Sequence, residues 1–221
     1  ALAFGTESVN KVDVIVGPGN IYVTLAKKLV NGTVGIDMVA GPSEILILAD
    51  ADANPTFIAA DMLGQAEHDP RASSVLITTS QTLAEKVSQQ LDTQLKSLSR
   101  AEIAAKSLKD YGAILVTQNL DDAFNLANNI APEHLELMLE DALPQLGRIH
   151  SAGAIFLGSY TPEAVGDYVA GTNHVLPTNG TARFASALSV EHFMKKTSII
   201  HYSQDAFEME ADDVPTPAQL E

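Results

Sequence analysis

The 221-residue sequence contains no cysteine and no tryptophan, and aromatic residues make up only 5% of it. Without cysteine, the chain cannot form a disulfide-stabilised scaffold, a cysteine-ligated zinc site or a thiol nucleophile. No apolar run reaches the ~18–20 residues that a membrane-spanning helix needs, which argues against a membrane protein. Any catalytic or metal site must therefore be built from His, Gln, Asp and Glu.

Basic residues are also scarce, because 13 Lys and Arg stand against 28 Asp and Glu, giving a net charge of −15. Such a surface repels phosphodiester backbones and anionic lipids, so neither nucleic acid nor a membrane is an expected partner. Six of the acids fall within 205–221, where no basic residue occurs, and this predicts a solvated tail. The first residues lack a basic stretch and a cleavage motif, so we expect a cytoplasmic protein without a signal peptide.

Short aliphatic runs alternate with longer helical stretches along the chain. Strands are predicted at 12–16, 44–48, 74–78, 113–117, 134–138 and 154–157, and helices at 21–29, 55–68, 81–109 and 121–130. Strands separated by helices require right-handed βαβ crossovers. The prediction is an α/β fold of βαβ units with a largely parallel, Rossmann-like sheet. Domain boundaries are predicted near Gly41 and around 178–180.

The segment GQAEHDP at 64–70 is typical of a metal site. Gln65 and His68 are three residues apart near the end of a predicted helix, so their side chains emerge on one face. An imidazole and an amide oxygen can both ligate a divalent ion, and histidine favours zinc. The alternative is a histidine that interacts only with the helix dipole. Two ligands do not complete a site, so others must come from elsewhere.

Two further segments place polar side chains at loop junctions. Glu133 and His134 lie where a predicted helix ends and a strand begins, and there they could divide acid–base work. The alternative is a polar loop before a half-exposed strand. The glycine-bounded loop 166–177 carries Asp167 and His174, which could bring a carboxylate ligand and an imidazole to one pocket. Its alternative is a structural turn.

Two glycine-containing turns are weaker indications of a ligand-binding site. GPGN at 17–20 follows a strand and precedes a helix, an arrangement that suits a pyrophosphate or another anion. A tight strand-to-helix turn is the alternative. The second turn, at 41–44, places Ser43 at a loop-to-strand junction. Ser43 lacks a G-x-S-x-G context, so it is not predicted to be a nucleophile, and a local cap is the alternative.

Together and in order, these segments resemble the histidinol dehydrogenase family, and the resemblance runs from Ala1 to about Tyr202. It is carried by GPGN at 17–20, IDMVAGPSE at 36–44, GQAEHDP at 64–70, APEHLEL at 131–137 and GDYVAGTNHVLPT at 166–178. The resemblance implies a zinc- and NAD-dependent homodimer that oxidises L-histidinol to L-histidine through the aldehyde.

The resemblance also implies roles for individual residues. The implied zinc ligands are Gln65, His68 and Asp167, and the implied acid–base pair is Glu133 and His134. Asn20 is implied to contact NAD. The implied substrate contacts are Ser43, Gln65, His68, His134, Asp167 and His174.

Family members are roughly twice as long as this chain. We therefore expect 1–43 to be part of an NAD-side domain that is incomplete, 44–180 to be the main domain with the site, and 181–221 to begin a C-terminal dimerisation region. The resemblance places a last zinc-ligating histidine in a later segment, supplied by the partner subunit. The isolated chain is thus predicted to bind zinc poorly and to show no turnover.

Two other functions are compatible with the residues. One is a non-catalytic fragment kept for its fold or for association. The other is a metal-dependent hydrolase that uses Gln65, His68 and Asp167 with Glu133 as its base, and hydrolysis without NAD would favour it.

Overall fold

The structure is a computed structural model that describes residues 1–211 and 213. One compact unit spans Ala1–Ser189, and a second begins at Val190. Residues 1–43, predicted to be part of a separate domain, lie in the first unit. Of the tail predicted to be solvated, residues 212 and 214–221 lie outside the described residues.

The first unit alternates strands and helices along most of its length. Its strands are β1 Val14–Ile15, β2 Gly35–Ile36, β3 Glu44–Ala49, β4 Ser73–Thr78, β5 Gly112–Val116, β6 His134–Met138 and β7 Ala154–Leu157. Its helices are α1 Ile21–Val30, α2 Pro55–Ala66, α3 Gln81–Gln94, α4 Ala101–Tyr111, α5 Leu120–Ile130 and α6 Glu163–Tyr168.

A five-stranded sheet in the order β5-β4-β3-β6-β7 forms the centre of this unit. Every neighbouring pair of strands is parallel. The central strand β3 has the sequence EILILA and is buried from Ile45 to Ala49, as expected for a strand that is covered on both faces. The α/β prediction with a parallel, Rossmann-like sheet is confirmed.

Alternate residues of the strands pack into two cores on opposite faces of the sheet. Ile45 and Ile47 pack with α2 and α3 residues, whereas Leu46 and Leu48 pack with α5 residues. On β6, Leu135 and Leu137 join the α5 side. His134 and Glu136 therefore project to the α2 side, and both are buried. The sequence of β6, HLELM, alternates in the same way, with a leucine at every second position.

The single helix predicted over 81–109 is wrong. The chain leaves α3 after Gln94, forms a 3-10 turn at Leu95–Ser97 and becomes extended at Leu98 before α4 begins. Leucines of this bend pack against Leu63 and Ala104 in a third apolar cluster. Burial of these leucines outweighs the helical propensity of a mostly polar segment.

A buried ion pair organises residues 12–37. The predicted strand 12–16 is reduced to β1, which pairs in parallel with the short strand β2. Lys27 on α1 is 4% exposed and pairs with Asp37, whose side chain is fully buried. Lys27 Nζ also donates to the Gly17 carbonyl oxygen at 3.0 Å, and the Gly17 N–H donates to Asp37 Oδ2 at 2.8 Å. The pair thereby fixes the glycine turn that leads into α1.

The second unit contains a 3-10 turn at Val190–Phe193 and α7 at Gln204–Glu210. The Ser203 hydroxyl caps α7 by accepting from the Ala206 N–H at 3.2 Å. The Tyr202 hydroxyl donates to Glu210 Oε2 at 2.6 Å. Among the described residues of both units, no helix is long and apolar enough to cross a membrane.

Candidate active site and metal centre

The residues predicted for catalysis, zinc and substrate surround one cavity of about 260 Å³. They reach it from the amino ends of β3 and β6, the end of α2, the helix α6 and the loop that follows α6. In open α/β sheets ligands usually bind at the carboxyl ends of the strands, so this site lies at the opposite edge. The lining includes Ser43, Gln65, His68, Glu133, His134, Asp167 and His174.

His134 is oriented as a proton acceptor. It is 4% exposed, and its Nδ1 lies 2.9 Å from the Glu44 carbonyl oxygen. Because a carbonyl only accepts, Nδ1 carries the hydrogen and Nε2 keeps a lone pair. Burial lowers the pKa of His134, although the Glu44 carbonyl and the charge of Asp167 oppose that effect. The imidazole is therefore neutral near pH 7, with Nε2 free to take a proton.

Glu133 is held beside His134 by the backbone of β3. Its Oε2 accepts from the Glu44 N–H at 3.0 Å and lies 3.7 Å from His134 Nδ1. Burial is the main cause that raises the pKa of Glu133 to about 8, with the charges of Glu44, Glu163 and Asp167 adding to it and the Glu44 N–H opposing it. A cation in the cavity would favour the ionised form of Glu133.

The buried side-chain amide of Gln65 is the group in the cavity that most clearly needs a ligand. The residue is 1% exposed, yet its Oε1 has no hydrogen-bond partner among the described residues. A buried amide oxygen without a partner costs about 1–3 kcal/mol, so such an atom usually has a ligand. A divalent cation coordinated by Gln65 Oε1 would satisfy it.

Asp167 and Glu163 lie one turn apart on α6 and face His134. Ligand atoms of these three residues all lie within 4.8 Å of one another, a spacing that could hold a metal ion. Glu163 Oε1 is 3.9 Å from His134 Nε2. Among the described residues, His68 lines the same cavity but does not join a group of three such ligands at this spacing.

The cavity lining includes three acids, Glu133, Glu163 and Asp167, and no lysine or arginine in the described part of the chain. Burial and the charge of Asp167 raise the pKa of Glu163 to about 7. Negative charge gathered in a buried space without basic residues is stabilised either by protons or by a cation. The nitrogen and oxygen donors of Gln65, His68 and Asp167 are of the types that bind zinc, so the residues present fit a zinc ion.

The structure adds Glu44, Glu163 and Glu136, for which the sequence predicts no function. Glu44 joins the site through three groups: its N–H binds Glu133, its carbonyl binds His134, and its Oε1 accepts from the Asn179 N–H at 3.0 Å. Glu163 could have been found from its four-residue spacing to Asp167, since residues at that spacing share a helix face. Glu136 is on the same strand face as His134, as the alternation predicts.

Asn20 lines a neighbouring cavity of about 340 Å³. The two cavities share lining residues that include Ser43 and His68. Asn20 is the N-cap of α1, and its Oδ1 accepts from the N–H groups of Tyr22 and Val23 at 3.1 and 3.2 Å. This cap explains the GPGN turn structurally, and it leaves the Asn20 amide group as the donor that could meet a ligand. Arg71 supplies a positive charge to the same cavity.

A sequence model of the histidinol dehydrogenase family matches residues 1–221, the whole chain. The chain belongs to the histidinol dehydrogenase family. Histidinol dehydrogenases of Desulfotalea psychrophila and Bacillus subtilis are 61% and 57% identical to it over 221 residues. The chain spans about half the length of these relatives, 51% and 52% respectively.

Solved structures agree with this family membership. The crystal structure of histidinol dehydrogenase from Elizabethkingia anophelis is 40% identical and superposes with a TM-score of 0.91, covering 99% of this chain and 51% of that chain. A probable aldehyde dehydrogenase from Listeria monocytogenes is only 12% identical, with a TM-score of 0.53 over 85% of this chain. That second likeness shows a shared fold alone.

Proposed function

We propose that this chain forms the zinc and substrate site of an enzyme that oxidises L-histidinol to L-histidine through the aldehyde, with NAD⁺ as the hydride acceptor. Membership of the histidinol dehydrogenase family supports the reaction. The observation that carries the assignment of the site is the buried Gln65 Oε1, which has no hydrogen-bond partner among the described residues and lies in one cavity lining with His68, Asp167 and the His134–Glu133 pair.

Zinc would be held by Gln65, His68 and Asp167, where it would bind and orient the substrate. An imidazole-bearing substrate is a natural further ligand for such an ion. The chain described here supplies three protein ligands, and the family resemblance assigns a fourth to the partner subunit of a homodimer. Losing one of four ligands weakens zinc binding, so this chain alone should hold the ion weakly.

His134 would remove the proton of the substrate alcohol during the first oxidation. Its Nδ1–H donates to the Glu44 carbonyl, which fixes the ring and leaves Nε2 as the base. The imidazolium that forms lies beside Glu163, whose Oε1 is 3.9 Å from Nε2. A carboxylate at that distance stabilises the positive charge in a buried site.

Glu133 would accept a proton from the water that adds to the aldehyde before the second hydride is transferred. It acts as a base only when ionised. Burial raises its pKa to about 8, and a bound cation would favour the ionised form. NAD would occupy the neighbouring cavity, near Asn20 and Arg71. There it would supply the hydride acceptor for the oxidation, and Ser43 lines both this cavity and the candidate active site.

A chimeric enzyme tests this function. The 221 residues would replace the matching half of the Bacillus subtilis relative, and NADH formation from L-histidinol and from L-histidinal would be measured with zinc. We expect both reactions in the chimera. In Glu133→Gln, we expect aldehyde oxidation to fall ~100-fold or more while alcohol oxidation falls less, because a general base contributes ~10²–10⁴-fold.

Equal loss of both oxidations in Glu133→Gln would contradict the division of labour between Glu133 and His134. Hydrolysis of ester or amide substrates that needs zinc but no NAD⁺ would favour a hydrolase instead. A folded chimera without NADH formation would favour a non-catalytic role for this chain.

A further inference from the structure

A pair of acidic residues lies beneath the candidate site and takes no part in the mechanism above. Glu136 on β6 is 1% exposed, and after burial the charge of the nearby Asp61 on α2 is the next largest cause that raises its pKa to about 9. Glu136 Oε1 also accepts from the backbone N–H of Glu163 at 2.9 Å. No N–H or hydroxyl donor of the described residues reaches Glu136 Oε2.

Each element that meets at this pair also carries a predicted site residue. On α2, Asp61 lies one helical turn before Gln65, and on β6 Glu136 lies on the same face as His134. The third element, α6, begins at Glu163 and carries Asp167 one turn later. The Asp61–Glu136 pair therefore connects the three elements that surround the cavity.

The helix α6 depends on such contacts for its position. It has only six residues, and its N-cap Pro162 makes no side-chain capping hydrogen bond. Short helices are unstable without tertiary contacts. One contact is the packing of Gly166 against the ring of Phe156, where a Cβ would lie 2.6 Å from a ring carbon. The other is the bond from the Glu163 N–H to Glu136, which satisfies a donor that the helix itself leaves free.

We propose that Glu136, which accepts from the Glu163 N–H and lies beside Asp61, is a positioning residue that holds the first turn of α6 and thereby keeps Asp167 and Glu163 beside His134. It acts through these residues and touches neither metal nor substrate. The significance of Asp167 as a zinc ligand rests on the proposed function, whereas the placement of α6 does not. Experiments can therefore refute the zinc-ligand role of Asp167 and the placement of α6 independently of each other.

Paired variants of Glu136 test the proposal. In Glu136→Gln, the amide oxygen can still accept from the Glu163 N–H and the amide NH₂ can donate to Asp61. In Glu136→Leu, the bond from the Glu163 N–H is lost at similar side-chain volume. Leu137→Val is the matched control, because Leu137 is the next residue of the same strand but packs on the opposite face of the sheet.

Two readouts separate positioning from general stability. The first is amide hydrogen exchange of residues 163–168 in the metal-free chain. The second is the zinc affinity of the chimera described above, measured by competition with a chromophoric chelator. Glu136→Leu should speed the exchange at least ~10-fold and weaken zinc binding ~10–100-fold, the range typical of groups that support metal ligands. Glu136→Gln should stay within ~3-fold of wild type in both, because it keeps the hydrogen bond from the Glu163 N–H. Leu137→Val should lower the melting temperature and leave both readouts unchanged.

The proposal would be overturned if Glu136→Leu left the hydrogen exchange of residues 163–168 unchanged. It would also be overturned if Glu136→Gln changed the exchange and the zinc affinity as much as Glu136→Leu does. If Glu136→Leu does not fold, Asp61→Ala tests the pair from the α2 side, with Asp61→Asn as the variant that should rescue it. Unchanged readouts in Asp61→Ala would again overturn it. If the chimera with the wild-type sequence binds no zinc while the contrast in exchange persists, the proposed metal site fails and the positioning role stands.

Discussion

Substituting Glu133 by glutamine should change how the stability of the metal-free chain depends on pH. Burial and neighbouring acids raise the pKa of Glu133 from its ordinary 4.5 to about 8. Its side chain is 8% exposed, so solvent screens little of this effect. A ten-fold difference in proton affinity corresponds to ~1.4 kcal/mol, so ionising Glu133 in the folded state costs on the order of 5 kcal/mol.

The direction of this pH dependence follows from which state, folded or unfolded, binds the proton of Glu133 more tightly. Because the folded pKa lies above the unfolded one, the folded state gains stability from the bound proton below pH 4.5 and loses it as the pH rises through about 8. The amide introduced by Glu133→Gln cannot ionise and keeps the shape of the protonated acid. Wild type and Glu133→Gln should therefore be equally stable at pH 5, to within ~1 kcal/mol. At pH 9 the variant should be more stable by a few kcal/mol.

Urea unfolding at several pH values between 5 and 9, with a chelator present, measures this difference directly. Both proteins keep Glu44, Glu163 and Asp167, so their other titrations largely cancel in the comparison. A stability difference that does not change with pH would refute the reasoning that Glu133 is buried among uncompensated acids. Saturating zinc should reduce the pH dependence of the wild type, since a cation stabilises the carboxylate.

Three further predictions concern the ion pair, α6 and the metal. Lys27→Met leaves the fully buried Asp37 side chain without its counter-ion and should lower the free energy of unfolding by ~3–5 kcal/mol, measured in urea. The double variant with Asp37→Asn should recover most of that loss, and failure to do so would place the effect elsewhere. Gly166→Ala would normally favour a helix, but here its Cβ would lie 2.6 Å from the Phe156 ring, so a loss of ~1–3 kcal/mol is expected in thermal unfolding. A gain in stability would show that α6 does not pack as described. Zinc affinity should increase between pH 6 and pH 8, because Glu133 and Glu163, whose pKa values are raised to about 8 and about 7, lose protons over this range and add negative charge to the cavity. Titration calorimetry at the two pH values measures the affinity, and an affinity that does not change would contradict this expectation.

The strands and most helices could be predicted because burial imposes a clear period on the sequence. The continuous apolar run of β3 and the alternation of β6 follow from their positions in the sheet. The break between α3 and α4 could not be predicted, because it depends on a distant contact: the leucines of the bend pack against Leu63 of α2. Local propensity does not report such contacts.

The residues around the cavity could be named from short motifs, but their connections could not. Ser43, Gln65, Glu133 and Asp167 are far apart in sequence, and only the strand order brings them together. The role of Glu44 depends on its backbone, whose N–H and carbonyl bind Glu133 and His134, and backbone hydrogen bonds have no sequence signature. The roles of these residues in catalysis and metal binding stay predictions.

Zinc affinity in Gln65→Leu tests the central claim most directly. The chimera described above, which supplies the further ligand implied by the family, would be compared with its Gln65→Leu variant by chelator competition. Ser107→Ala is the control, because Ser107 is a buried polar residue whose hydroxyl donates to the Ala72 carbonyl oxygen, away from the cavity. We predict one zinc ion per chain in the parent and control, and an affinity at least ~10-fold weaker in Gln65→Leu. Equal zinc affinity in all three proteins would contradict the claim that Gln65 Oε1 is a metal ligand.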